Sequence, residues 1–338
     1  MKLKENITFK ELTTFHIGGK IQYLAEVKNK KEVDEAVCFA KKNKLKIFII
    51  GGGSDILIGD SDFQGLVIKY IGDSVDINGD IVTSEAGLIW DKLVEEVVGK
   101  NFQGIECLSG IPGSTGAAPI QNIGAYGQEL KNVFLKLTAY DIAKEEFVEF
   151  ESADCEFGYR ESVFKKKDYW QKFIITDITL RLNKNGKPEV KYDSLKKYLL
   201  EKEIPAPTLR DVRNAVLAVR TTKFENPNEA GNAGSFFKNP VFSDDTAKNL
   251  EKKFPGIPLR PLEDGSFKSS AGWLIEQAGW KGKKYKNAAV SARHALILIN
   301  PEGKATASDV LELSEMIIED VKKKFDVKLE REVQLINL

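Results

Sequence analysis

From Ser109 to Gly127 the chain reads Ser-Gly-Ile-Pro-Gly-Ser-Thr-Gly-Ala-Ala-Pro-Ile-Gln-Asn-Ile-Gly-Ala-Tyr-Gly, without one charged side chain, in a protein whose residues are 30% charged. So long an uncharged stretch, interrupted by glycines, suits neither a surface helix nor an alternating strand. It predicts a loop, and uncharged loops of this length inside a compact domain are usually functional. Gly110, Gly113, Gly116, Gly124 and Gly127 put no Cβ between the main-chain N–H groups and a phosphate or flat ring. Ser109, Ser114, Thr115, Gln121 and Asn122 add short neutral groups that can fix a polar ring edge.

Other segments show regular periodicity. Ile21 to Val27 reads as a strand, Val33, Ala36, Val37 and Ala40 recur at helical spacing, and Lys46 to Ile50 is a short apolar strand. This βαβ start runs into Gly51-Gly52-Gly53-Ser54, a turn whose amides suit a pyrophosphate, although the Gly-x-Gly-x-x-Gly spacing of a Rossmann fold is missing. Alternating residues from Gly65 to Thr83 flank a hairpin turn at Asn78-Gly79. A helix is expected from Trp90 to Val98, with strands at Leu135 to Tyr140 and Phe173 to Leu182. Thr208-Leu-Arg-Asp211 and Thr306-Ala-Ser-Asp309 fit capping boxes before helices. The lysine-rich segment Lys184 to Pro207 is expected to carry a domain boundary. Periodicity alone predicts a multidomain α+β protein, as the length of 338 residues also implies.

The totals exclude several functions. Fifty basic and fifty acidic residues cancel, so no global field draws the chain to nucleic acid or a membrane surface. Three dispersed cysteines (Cys38, Cys107, Cys155) fit neither a disulfide framework nor a metal site and point to a reducing compartment. With no leader pattern at the N-terminus and no apolar run near the ~18 residues of a membrane span, a cytoplasmic protein is expected. His16 and His294 are the only histidines, too few for a multi-histidine metal centre, and no metal is expected. Acid and base chemistry falls to Ser, Tyr, Lys, Arg or carboxylates.

The order and spacing of the Ser109–Gly127 stretch resemble the flavin-binding loop of bacterial UDP-N-acetylenolpyruvoylglucosamine reductases. The resemblance continues through Thr14–Gly19, Gly51–Leu57, Phe157–Ser162, Arg220–Lys223, Gly231–Pro240, Ala271–Ile275 and Leu329–Val333, and so spans nearly the whole chain. It implies a three-lobed α+β flavoprotein: a vanillyl-alcohol-oxidase-like (PCMH-type) FAD-binding fold over 1–69 and 70–205, and a C-terminal α+β substrate-binding domain over 206–338. The implied reaction, a step of peptidoglycan precursor synthesis, uses noncovalent FAD and NADPH to reduce the enolpyruvyl ether of a UDP-sugar. A monomer is expected. Gly51, Gly52, Gly53, Ser54, Asp55, Ser114, Thr115, Pro119, Ile120, Gln121, Asn122, Gly124 and Arg220 would hold FAD.

For the chemistry, the resemblance assigns Ser235 as proton donor, Arg160 as the guanidinium that polarises the substrate carboxylate, and Glu332 as a carboxylate assisting protonation. Read alone, Ser235 is a serine in a glycine-rich turn and Arg160 a surface arginine beside Glu161. Lys223, Lys238, Asn239 and Lys281 are candidates for the diphosphate, Tyr159 for substrate contact, and Tyr192 for a loop closing over the substrate, as in the longer family type. His294 reads equally as a substrate contact or a strand histidine. The chain departs from the family pattern at Asp55, where asparagine is common, and at Arg331 and Gln334, where proline and arginine are expected; Glu330 is an alternative to Glu332. Two rivals remain at this stage: a flavin oxidase of the same fold superfamily acting on an alcohol or sugar, and a nucleotide-binding protein without activity.

Overall fold

The computed structural model describes residues 1–336, which divide into two compact units. The first comprises Met1–Ile7, Lys20–Gly52 and Asp62–Thr222. The βαβ start forms as its periodicity dictates: strand Lys20–Val27, helix Lys30–Lys42 and strand Lys46–Ile49. Both strands pair in parallel with Phe63–Tyr70, while Lys2–Lys4 runs antiparallel on the outer edge of Lys20–Val27. Asn29 caps the helix by accepting from the Glu32 amide at 2.9 Å, and the predicted stripe of Val33, Ala36, Val37 and Ala40 is fully buried against Leu66 and Ile68.

A second, antiparallel sheet in the same unit runs in the order Glu146–Glu151, Phe134–Asp141, Phe173–Arg181, Ile81–Glu85, Val75–Asn78. Its tightest reversal lies one residue beyond the expected Asn78-Gly79 turn. Asn78 pairs with Ile81, and the left-handed backbone falls at Gly79 (φ 63°). The helix Trp90–Gly99 packs its apolar face into this core, and the Trp90 indole donates to the Leu108 carbonyl at 3.0 Å.

The lysine-rich 184–207 segment contains the helix Asp193–Glu201, whose Leu195 and Leu199 pack with Val212, Ala215, Val216 and Val219 of helix Leu209–Lys223 and with Cys107. That second helix, through Thr222, belongs to the first unit. The predicted box at its start forms: Thr208 and Asp211 exchange side-chain and amide hydrogen bonds at 2.9 and 3.2 Å.

The second unit comprises Thr8–Gly19, Gly53–Ser61 and the described residues from Lys223 onward. Its main sheet is antiparallel in the order Gly231–Ser235, Ile297–Asn300, Ala288–Val290, Lys284–Tyr285. The long helix Ala307–Phe325, opened by the predicted Thr306–Asp309 box, buries Val310, Leu313, Ile317 and Val321 in the core. The expected C-terminal strand begins later than its alternation suggests. Leu329–Val333 contributes one bridge, Arg331 to Phe237, and regular pairing starts at Gln334–Ile336, parallel to Ile56–Ile58. Among the described residues, no helix is long and apolar enough to cross a membrane.

Candidate active site

In the first unit, two loops approach so closely that side chains cannot fit. A Cβ on Gly52 would lie 2.7 Å from the Gly113 Cα, and one on Gly51 would lie 2.8 Å from the Ser114 hydroxyl oxygen. The glycines expected to admit a ligand are therefore required first by loop-on-loop packing. Among the described residues, the amides of Gly51, Gly52, Gly113 and Ser114 donate to nothing. The result is a cluster of unspent N–H groups of the kind that binds anions.

Side chains of the uncharged loop divide into two sets. Ser109 donates to the Glu106 carbonyl at 2.6 Å and Thr115 to the Leu88 carbonyl at 3.0 Å, and both are completely buried. Asn122, also completely buried, donates to Glu129 Oε2 at 3.1 Å and to the Gly158 carbonyl at 2.9 Å, and accepts from the Lys131 amide at 2.9 Å. These three hold the loop's shape. Gln121 differs: its Oε1 is buried without a hydrogen-bond partner among the described residues. Leaving an acceptor so costs about 1–3 kcal/mol unless another molecule donates to it.

Arg160 occupies the third position of a tight turn in which Gly158 and Glu161 exchange main-chain hydrogen bonds at 3.0 and 3.3 Å. Its φ is 57°, a left-handed conformation that costs an arginine roughly 1–3 kcal/mol. The surroundings hold it there. Its guanidinium donates to the Gly124 carbonyl at 2.6 Å and lies over the Tyr159 ring at 5.2 Å, while Lys165 Nζ donates to its carbonyl at 3.1 Å. Ser162 fastens the end of the turn to the Ile120 carbonyl at 2.6 Å, beside buried Pro119. At Gly124 a Cβ would meet an Arg160 Nη at 3.0 Å, so a side chain there would displace the guanidinium. Tyr192 packs edge-on against Tyr126 of the same hairpin at 5.7 Å.

Sequence reasoning missed the support behind this loop. Asp91 accepts the Gly110 amide at 2.6 Å and grips Arg213 bidentately at 2.6 and 2.9 Å across 122 residues of sequence. Arg220, two helical turns further along, lies against Gly110, whose added Cβ would be 3.2 Å from its Cδ. Burial pushes the Arg220 guanidinium below its ordinary pKa, partly offset by Tyr126 and Asp91. Burial also pushes the Asp91 carboxyl up, but the hydrogen bonds from Arg213 and Gly110 outweigh it and hold its pKa below the usual value. A lowered carboxylate pKa stabilises the fold above the unfolded-state value of about 3.9 and loses that contribution as pH falls through the folded-state value. Asp91→Asn should therefore cost roughly 1–3 kcal/mol in urea unfolding near pH 7. The difference from the unsubstituted protein should shrink below about pH 4. An equal gap at both pH values would mean that the ion pair contributes nothing.

The second unit holds the other candidates. Gly53 needs its left-handed φ of 62°, and a Cβ there would strike the Leu12 carbonyl at 2.1 Å. Ser54 and Asp55 follow, and Asp55 accepts the Gln334 amide at 3.1 Å. Two of the departures from the family pattern, Asp55 and Gln334, are thus main-chain neighbours. The third, Arg331, turns onto the long helix, donating to Ser314 at 2.9 Å and pairing with Glu315.

Ser235 lies not in a turn, as the sequence suggested, but at the end of a strand with an irregularity between Asn232 and Ser235. Asn232, itself buried, accepts the Gly234 amide at 3.0 Å and donates to the Ala230 carbonyl at 2.9 Å, which fixes Gly234 at φ 69°. Fully buried Phe236 and Phe237 anchor the chain beyond it. The half-buried Ser235 hydroxyl has no hydrogen-bond partner among the described residues. Glu332 donates its amide to the Phe236 carbonyl at 2.9 Å, one residue from Ser235. Glu330 points elsewhere: it is exposed and pairs with Lys238 at 2.8 Å.

Of the remaining candidates, Lys281 pairs with Glu276 at 3.0 Å and Asn239 accepts the Ala271 amide at 3.0 Å. His294 lies outside the strands and stacks on Phe224 with rings 7° from parallel, and its Nδ1 accepts the Leu296 amide at 3.2 Å. Burial, then the charges of Lys223 and Lys281, lower its pKa, and the amide accepted at Nδ1 puts the proton of the neutral ring on Nε2.

The fold and sequence have close counterparts among characterised proteins. Residues 226–336 match the family model described as the UDP-N-acetylenolpyruvoylglucosamine reductase C-terminal domain, and residues 21–151 match an FAD binding domain model. A curated UDP-N-acetylenolpyruvoylglucosamine reductase of Pseudomonas aeruginosa is 40% identical over 99% of both chains. One from Flavobacterium johnsoniae is 39% identical over 99% of this chain and 100% of the relative. The crystal structure of the Thermus caldophilus enzyme of that name covers 99% of both chains with TM-score 0.70 at 24% identity, a likeness of fold.

Proposed function

The chain belongs to the UDP-N-acetylenolpyruvoylglucosamine reductase family of oxidoreductases, and from that premise we propose that it uses NADPH and noncovalent FAD to reduce the enolpyruvyl ether of UDP-N-acetylglucosamine to UDP-N-acetylmuramate, a peptidoglycan precursor. The observation that carries the reading is the unspent donor cluster at Gly51, Gly52, Gly113 and Ser114, together with the orphaned Gln121 acceptor. A dinucleotide pyrophosphate and a flavin ring edge bearing an N–H answer those two needs. In this reading Arg220, Thr115 and Asn122 frame the loop, and Gly53, Ser54 and Asp55 complete the turn.

When bound, FAD would take a hydride from NADPH and deliver it to the enolpyruvyl double bond. The protein's own task is to manage the charge and the proton. Arg160, already committed by its strained turn, offers a fork to the substrate carboxylate and stabilises the enolate-like charge that builds there. Ser235 is a poor acid in water, yet a carbanionic carbon is basic enough to take its proton, and its hydroxyl is engaged by no other described residue. Glu332, tied to the main chain beside Ser235, is the carboxylate placed to assist; the pairing of Glu330 with Lys238 favours 332 over 330. Lys223 and Lys281, both close enough to His294 to influence it, are the cations proposed for the diphosphate, with Lys238 and Asn239 on the same unit. Tyr159 and Tyr192 are the aromatic residues proposed for substrate contact. The soluble UDP-sugar is the expected partner, in the cytoplasm, with the enzyme acting as a monomer.

The test is steady-state: the purified chain should oxidise NADPH in the presence of the UDP-enolpyruvyl sugar and give a product two hydrogens heavier. No NADPH consumption beyond a no-substrate control would refute it.

A further inference from the structure

We infer that Asn122 is a positioning residue for Arg160, and that this role, not contact with a cofactor, is what its side chain does. The inference rests on the reading of Arg160 as the substrate-carboxylate fork. Three of the four hydrogen-bonding capacities of the Asn122 side chain are spent internally: both amide hydrogens on Glu129 and Gly158, and one lone pair of the oxygen on the Lys131 amide. The side chain is completely buried. Its two donor bonds run to the two segments that define where Arg160 stands. Gly158 is the first residue of the tight turn that forces Arg160 to positive φ. Glu129 pairs with Gly124 in the small hairpin whose Gly124 carbonyl receives the guanidinium. One amide group thus joins the turn that carries Arg160 to the hairpin that anchors its head. Asn122 is itself held at φ 45°, a conformation asparagine tolerates better than most residues.

The test exploits an isosteric exchange. Asn122→Asp keeps the acceptor for Lys131 but replaces the donor group with an oxygen facing the Glu129 carboxylate and the Gly158 carbonyl. Adding Glu129→Gln removes the like-charge clash and restores a donor between positions 122 and 129. The double variant N122D/E129Q then puts a carboxylate oxygen against the Gly158 carbonyl in place of the tie, and it shares with E129Q alone the loss of the Glu129–Lys131 ion pair at 3.2 Å. E129Q alone is the control and should behave as the unsubstituted enzyme.

The double variant should retain FAD and be reduced by NADPH within about twofold of normal, whereas reoxidation by the enolpyruvyl substrate should slow roughly 10- to 100-fold, as expected of a misplaced catalytic group. Arg160→Lys added to it should cost much less than in the unsubstituted enzyme, because the two act through one interaction. Normal reoxidation, loss of FAD, equal slowing of both half-reactions, or fully additive effects would each overturn the inference. Failure of the underlying reading looks different: Arg160→Lys alone would then leave reoxidation untouched.

Discussion

Ser235→Ala should bleach its flavin with NADPH at a near-normal rate and then recover its colour with the enolpyruvyl substrate some 10²- to 10⁴-fold more slowly, the loss typical of a missing general acid. Hydride delivery from NADPH requires no proton at the substrate carbon, so only the second half-reaction should suffer. The structure makes the separation credible. The hydroxyl makes no hydrogen bond among the described residues, and the local backbone is fixed by Asn232, Phe236 and Phe237. Removing one oxygen should leave that frame intact. Ser235→Cys, a stronger acid on a larger atom, should recover part of the rate. Equal slowing of both steps in rapid-mixing experiments would mark Ser235 as a packing residue and leave Glu332 as the proton donor to test.

Arg160→Lys preserves the charge and removes the fork. Lysine cannot at once hold the Gly124 carbonyl and present two parallel donors to a carboxylate. The expected loss is on the order of 10²-fold in kcat/KM for the enolpyruvyl substrate, as for removal of one preorganised donor. Flavin content and reduction by NADPH should be unchanged. Full turnover by Arg160→Lys would show that a point charge suffices and that the strained turn serves another purpose.

Local signals in the sequence carried much of the fold. The helix Lys30–Lys42 announces itself through its buried stripe, and the two capping boxes through residues three apart that satisfy each other. The unlegible features depend on distant partners. Nothing near Asp91 indicates that Arg213 will grip it, and nothing near Lys238 indicates Glu330, 92 residues away. Local chemistry misled at Ser235, where Gly-Asn-Ala-Gly reads as a turn, yet Asn232 turns it into a strand irregularity by capturing the Gly234 amide. Gly51 and Gly52 read in the sequence as a turn whose amides suit a pyrophosphate, and the structure adds that no larger residue fits there against the neighbouring loop. For Asn122, one of the residues the resemblance assigns to the cofactor, the sequence gives no sign of its three internal hydrogen bonds, to Glu129, Gly158 and Lys131.

The central claim is that this chain reduces an enolpyruvyl sugar through its flavin, and anaerobic double-mixing stopped flow tests it most directly. NADPH should bleach the flavin in the first mix. In the second, the UDP-enolpyruvyl sugar should restore the colour at a rate compatible with turnover, and UDP-N-acetylglucosamine without the enolpyruvyl group should not. A reduced flavin that ignores the enolpyruvyl sugar and recolours only when oxygen is admitted would contradict the account and mark the protein as an oxidase.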